Sequence, residues 1–210
     1  MDIHLENLGR RYNRQWIFSN LSLRFQYPGS MAVLGPNGSG KSTLLQIISG
    51  YLSPSEGKVE YLQKGIPMPP EGVYKNISYV APYIEIPSAF SMLEFFDFHF
   101  GLKGFHPSLN LEQIMVESGI IDFRKRYIGE LSTGIQQRVK ILAALGSDTS
   151  LILFDEPTAN LDEGGKEWFG NILVQLKGQR SFMIGSNIPE EYEICETQVK
   201  ISDFKSRIRV

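Results

Sequence analysis

Cysteine is nearly absent from this chain of 210 residues, with Cys195 standing alone. One thiol excludes an internal disulfide and cannot by itself hold zinc, which suits a reducing compartment; it is expected to be buried and inert. Histidine is scarce too, and His4, His99 and His106 all fall outside the motifs described below. Positive charge shows no excess, since 21 Lys and Arg face 23 Asp and Glu for a net charge of −2. A global basic field is therefore missing, and nucleic acid is not an expected partner. No window approaches the run of about 18 apolar residues that a membrane helix needs. Any membrane association would have to run through another subunit. The opening MDIHLENLGRRY lacks the apolar stretch of a signal peptide, so secretion is not expected. Internal repeats and low-complexity tracts are missing as well. The length suits one compact domain with room for an inserted subdomain.

What is present is concentrated in residues 35–43, GPNGSGKST. Gly35, Pro36, Asn37, Gly38, Ser39, Gly40, Lys41, Ser42 and Thr43 satisfy G-x-x-x-x-G-K-[ST] without a gap. Glycines let successive N–H groups turn inward, Lys41 adds a positive charge, and the Ser42 hydroxyl can ligate Mg²⁺. The flanks agree with that reading. Met31, Ala32, Val33 and Leu34 form an apolar run suited to a buried strand, and Leu44, Leu45, Ile47 and Ile48 follow at helical spacing. Strand, loop and helix in that order aim a helix N-terminus at bound phosphates.

Along the rest of the chain, Leu21, Leu23 and Phe25 alternate with polar residues, predicting an antiparallel sheet at the front. Residues 58–62 and 77–80 read as strands, and 65–72 as a Pro-rich loop. From 91 to about 123 the pattern is helical and rich in aromatics, with Leu93, Phe96 and Phe100 predicted to share one face and Glu94 and Asp97 another. Phe98 falls near the acidic face and is a candidate exposed contact. Ser132 precedes a helical run through Leu145, 163–176 is helical, and 151–154, 181–184, 197–201 and 206–210 read as strands. Strands alternating with helices predict a mainly parallel α/β core.

Two further segments carry chemistry. LILFDE, at 151–156, is an apolar strand ending in two acids; Asp155 can hold Mg²⁺ with Ser42, while Glu156 can orient an attacking water. LSTGIQQR, at 131–138, places Ser132 as an N-cap and Gly134 where a phosphate can approach the backbone, making a second anion site.

With these residues the chain resembles the ATP-binding cassette (ABC) ATPases over nearly its whole length. GPNGSGKST corresponds to Walker A, LILFDE to Walker B and ANLD, at 159–162, to the D-loop. In the signature LSGGQ, often followed by QR, Leu131, Ser132, Gly134, Gln137 and Arg138 match, while Thr133 and Ile135 differ. The resemblance implies an α/β P-loop NTPase of ABC type. Its core sheet would be mainly parallel, with an N-terminal antiparallel β-subdomain and a helical subdomain inserted at about 83–145. It also implies ATP and Mg²⁺ as ligands, Tyr12 under the adenine, Lys41 and Glu156 in catalysis, and Ser132 and Gly134 closing the site of a second nucleotide-binding subunit, an identical copy. A separate transmembrane permease is implied, docking near 82–87 and 91–100, with the chain peripheral at the cytoplasmic face.

Two positions depart from that pattern. Pro82 or Tyr83 stands where the family has the Q-loop glutamine, and Asn187, or Ser186 with a shift, where it has the switch histidine. Asparagine donates a hydrogen bond but neither carries a positive charge nor relays a proton. The sequence thus predicts MgATP binding with slow hydrolysis, coupled to transport. Two alternatives remain open at this level: an ATP-dependent dimerising regulatory module with vestigial hydrolysis, and a soluble, non-transport ABC protein.

Overall fold

The computed structural model describes residues 1–204. The strand expected at 206–210 lies outside them.

Alternating side chains at the front lay down an antiparallel sheet. β1 (Asp2–Tyr12) pairs with β2 (Gln15–Phe25), whose inward residues Phe18, Leu21 and Phe25 are buried. The chain then leaves this sheet for β3 (Ser30–Leu34), every residue of which is buried, and continues through the P-loop into α1 (Lys41–Ile48). It returns for β4 (Glu56–Gln63), which pairs with β1, and for β5 (Ile66–Met68), a short edge strand. A loop was expected here because of its prolines. Pro67 is accommodated because β5 pairs on one side only, so its missing N–H breaks no ladder.

After the short α2 (Pro70–Val73) come β6 (Ile77–Val80), α3 (Met92–Lys103), α4 (Leu111–Glu117) and α5 (Thr133–Gly146). They are followed by β7 (Leu151–Asp155), α6 (Glu163–Leu176), β8 (Ser181–Ser186), α7 (Pro189–Tyr192) and β9 (Thr197–Lys200). The second sheet has the order β6-β7-β8-β3-β9, and all its pairings are parallel. Strands buried on both faces read as continuous apolar runs, as 31–34 and 151–154 did. Ala32, Ile152, Phe154, Phe182 and Ile184 face one core shared with α3, α5 and α6. Met31, Val33, Leu151, Leu153 and Met183 face another, shared with α1 and the antiparallel sheet.

The long helical stretch is interrupted. Gly104, at φ 74°, ends α3 with its N–H on the Phe100 carbonyl at 2.8 Å, and Asn110 caps the start of α4. Within α3 the fully buried side chains are Met92, Phe95 and Phe96, whereas Leu93 and Phe100 are half-buried. Aromatics lie on most faces of this helix, so a 3.6-residue period does not select one stripe. Phe98 is exposed and meets Phe90 edge-on.

Register decides what comes next. Leu34 lies opposite Ser186, and Asp155 opposite Gly185, so β3, β7 and β8 end at one level. Gly35, Glu156 and Asn187 each start just beyond that carboxyl edge, the usual place for a ligand in an open α/β sheet.

Candidate functional site

Between Leu34 and α1 the chain makes a tight cradle. Gly40 sits at φ 113°, and a Cβ there would fall 2.5 Å from Ile17 Cγ2, so glycine is required on both counts. The Ser39 N–H closes a turn on the Pro36 carbonyl at 3.0 Å, while Pro36, Asn37 and Gly38 remain exposed. No side chain caps α1. Its first-turn N–H groups, including those of Ser42 and Thr43, are thus available to an anion. The buried Lys41 Nζ donates to the Gly35 carbonyl at 2.9 Å and lies 3.9 Å from Glu156 Oε1. An ammonium held by carbonyls can exchange them for phosphate oxygens.

Asp155 ends β7 fully buried. Its Oδ2 accepts a hydrogen bond from Tyr83 at 2.9 Å and lies 3.2 Å from the Tyr79 hydroxyl, which shares its single proton between Oδ2 and the Tyr83 oxygen; Gln46 Nε2 also donates to the Tyr83 oxygen, at 3.1 Å. Burial, then the Asp155 charge, raises the Tyr79 phenol above its ordinary pKa, and burial raises that of Tyr83, so both act as neutral donors. Asp155 Oδ1 is buried without a partner. A hard carboxylate oxygen left unsatisfied at the carboxyl end of β7 suits Mg²⁺, whose remaining ligands are commonly phosphates and water. Among the described residues no cluster of three or more His, Cys, Asp or Glu offers a metal site of its own.

Glu156 adopts φ 47°, unusual for a non-glycine residue, with its N–H on the Gly185 carbonyl at 2.9 Å and its side chain 42% exposed. It borders a cavity of about 160 Å³ together with Asn37, Thr158, Ser186, Asn187 and Glu191. A carboxylate and an amide donor from two strand ends thus meet a P-loop residue. The turn behind Glu156 is fixed by buried Glu191, which accepts from both the N–H and the hydroxyl of Thr158.

Ser132 caps α5, accepting from the Ile135 N–H at 3.3 Å. A Cβ on Gly134 would fall 2.8 Å from the Asn160 carbonyl, so the signature and the D-loop abut. Gln137 Nε2 donates to the Pro157 carbonyl at 2.9 Å and Arg138 reaches Asp162, tying α5 to the segment after Glu156. Neither Ser132 nor Gly134 lines the cavity beside Glu156. Tyr12 is half exposed at the end of β1, with the Arg10 guanidinium 4.6 Å from its ring centroid. Its hairpin borders the cradle through Ile17.

Several contributors were not foreseen from sequence. Besides Gln46, Tyr79 and Glu191, Lys140 on α5 donates to the carbonyls of Ala81 and Pro82 at 3.1 Å and of Ile84 at 3.2 Å. It braces the loop after β6. Cys195 is buried as expected, and burial pushes its thiol up to about 12.

Residues 18–159 match the family model described as ABC transporter. The ABC transporter ATP-binding protein NatA of Bacillus subtilis is 30% identical over 188 residues, spanning 87% of this chain and 76% of that protein. The cytochrome c biogenesis ATP-binding export protein CcmA of Wolbachia pipientis is 26% identical over 210 residues, spanning 96% of this chain and 97% of that one. Among solved structures, the dimeric bacterial ABC transporter cassette MJ0796 superposes with a TM-score of 0.81 at 23% identity, covering 95% of this chain and 94% of that chain. A family model over most of the chain, and relatives matched along nearly all of it, establish that this protein belongs to the ABC transporter family, as one of its ATP-binding cassette ATPases.

Proposed function

We propose that this chain is the energy-supplying subunit of a transporter, binding MgATP in the cradle at 35–43 and hydrolysing it slowly at an interface between two copies. One observation carries the reading: Lys41, Asp155, Glu156 and Asn187 all issue from the carboxyl edge of β3, β7 and β8. Lys41 and the first-turn N–H groups of α1, including those of Ser42 and Thr43, take the phosphates, and Tyr12 stacks on the adenine. Ser42 and Asp155 would hold Mg²⁺, which when bound neutralises charge on the phosphate oxygens. Glu156, projecting into the cavity, orients the attacking water and accepts its proton. Asn187, on the same cavity, donates to the terminal phosphate. Replacing a histidine there removes a charged donor but keeps a hydrogen bond. The loss is smaller than the 100-fold to 1000-fold, roughly, of deleting such a donor outright.

Ser132 and Gly134 close the site of the partner copy, a reading supported by their separation from the cavity of their own chain. The helical region at about 83–145 acts as the inserted subdomain that carries them. Among the described residues no helix is long and apolar enough to cross a membrane. The permease is read as a separate subunit, and this chain as peripheral to it at the cytoplasmic face. Its docking place is a groove of about 480 Å³ between α3, α5 and the loop after β6, where the exposed Tyr51 and Tyr74 and the half-buried Ile86 offer apolar surface beside Lys103.

Glu156→Gln tests the reading. Phosphate release should fall by about 100-fold or more while ATP still binds, and sedimentation should show an ATP-dependent dimer. Undiminished turnover in this variant, or ATP binding with no dimer, would overturn it.

A further inference from the structure

The two oxygens of Asp155 face different surroundings. Oδ1 lies toward Gly185, where an added Cβ would be 3.1 Å from it and 3.6 Å from Lys41 Cβ. Oδ2 lies toward Gln46 and the loop after β6, and there it is covered by two phenols. Tyr79 is half-buried within β6, whereas Tyr83 belongs to the loop itself and is 52% exposed. That loop forms one wall of the groove of about 480 Å³, through Ile84, Glu85, Ile86 and Pro87, and its carbonyls are held by Lys140.

A phenol that donates to one carboxylate oxygen draws charge from both and weakens the other as a cation ligand. A neutral tyrosine donates to a carboxylate and is a poor ligand for a hard divalent cation. We infer that Tyr83 is a latch on the cation site: its hydroxyl donates to Asp155 Oδ2, drawing charge from the carboxylate and fixing its orientation, and it must yield before the free Oδ1 can hold a divalent cation and its water shell at full strength. The latch rests on the proposed role of Asp155 as the cation-holding acid. Because Tyr83 directly precedes the residues that wall the groove, Ile84 to Pro87, an occupant that shifts them draws the phenol away and favours loading. Tyr83 is thus a positioning residue, acting on the cation through Asp155.

The test is Mn²⁺ binding to the full chain in the presence of a non-hydrolysable ATP analogue, read by electron paramagnetic resonance. Tyr83→Phe should tighten Mn²⁺ by about tenfold, the equivalent of about 1.4 kcal/mol, with metal-free nucleotide affinity in EDTA unchanged. Tyr83→Ala, which removes the ring as well, should change Mn²⁺ affinity in the same direction. Tyr79→Phe should do so less, since Tyr83 still covers the oxygen. Equal or weaker Mn²⁺ binding in both Tyr83 variants overturns the latch. Asp155→Asn separates the two claims. If it weakens Mn²⁺ while the Tyr83 variants do nothing, only the latch fails; if it leaves Mn²⁺ unchanged, the role of Asp155 fails with it.

Discussion

The loop at 35–43 and the loop at 81–87 flank the same acid pair, and they hold their shapes by different means. The first is a matter of backbone: Gly40 has a φ that only glycine adopts easily, and Lys41 folds onto its own loop's carbonyls. The second is held from outside, by Lys140 of α5 and by hydrogen bonds from Tyr83 to Asp155 and from Gln46 to Tyr83. A loop that encodes its own geometry keeps its ligand chemistry while neighbours change. A loop held by distant side chains can be retuned by them, and this second loop, at Pro82 and Tyr83, holds one of the chain's departures from its family's pattern.

Breaking the first loop should have the larger consequence. Gly40→Ala forces a left-handed residue and a contact with Ile17, which should cost about 2 to 3 kcal/mol of stability and abolish measurable ATP binding by calorimetry. Retention of both would mean that the cradle is less self-determined than its φ values imply. Lys140→Met addresses the second loop. Three carbonyls lose one charged donor, so unfolding should become easier by about 1 to 3 kcal/mol, and hydrogen exchange should quicken at 81–84 while protection at 39–48 stays. Equal loosening of both loops would erase the distinction.

Ser132→Ala is expected to cost about 1 kcal/mol through the lost cap on α5, with a further loss of the ATP-dependent dimer that a cap alone does not produce. Thermal unfolding and sedimentation of the same sample separate the two. The smallest effect concerns pH in the groove. Burial, reinforced by Lys103, holds the His99 imidazole below its ordinary pKa, and its Nε2 lies 3.0 Å from Ser147 Oγ. The unfolded chain therefore takes up this proton first. The contribution of neutral His99 is complete above about pH 6.5 and declines as pH falls below it. The unfolding midpoint should drop more steeply below that pH in the wild type than in His99→Gln.

The same contrast explains how much was legible in the sequence. Residues 35–43 could be read because their partners are neighbours in the chain, and Asp155 and Glu156 because two acids follow a buried strand. Ser132 and Asp162 were legible as, respectively, an N-cap and part of the D-loop, and the structure shows that Asp162 also caps α6. The phenols on Asp155 come from 72 and 76 residues away, Lys140 reaches carbonyls up to 59 residues away, and Glu191 meets Thr158 across 33. No local pattern announces such contacts. Tyr83 could be placed opposite a family glutamine, but only the fold shows its hydroxyl on Asp155. Likewise in α3 the 3.6-residue period picked out Leu93, Phe96 and Phe100, which do pack against one core, but with aromatics on most faces it did not reveal that Phe95 is buried more deeply than Phe100.

The central claim is that the cradle is intact and that hydrolysis is held back at the terminal phosphate by the amide of Asn187. Asn187→His tests it most directly, with steady-state phosphate release and ATP affinity measured on the same preparation. Turnover should rise by about tenfold, short of the full value of such a donor, with affinity little changed. Turnover that stays level or falls would contradict the account.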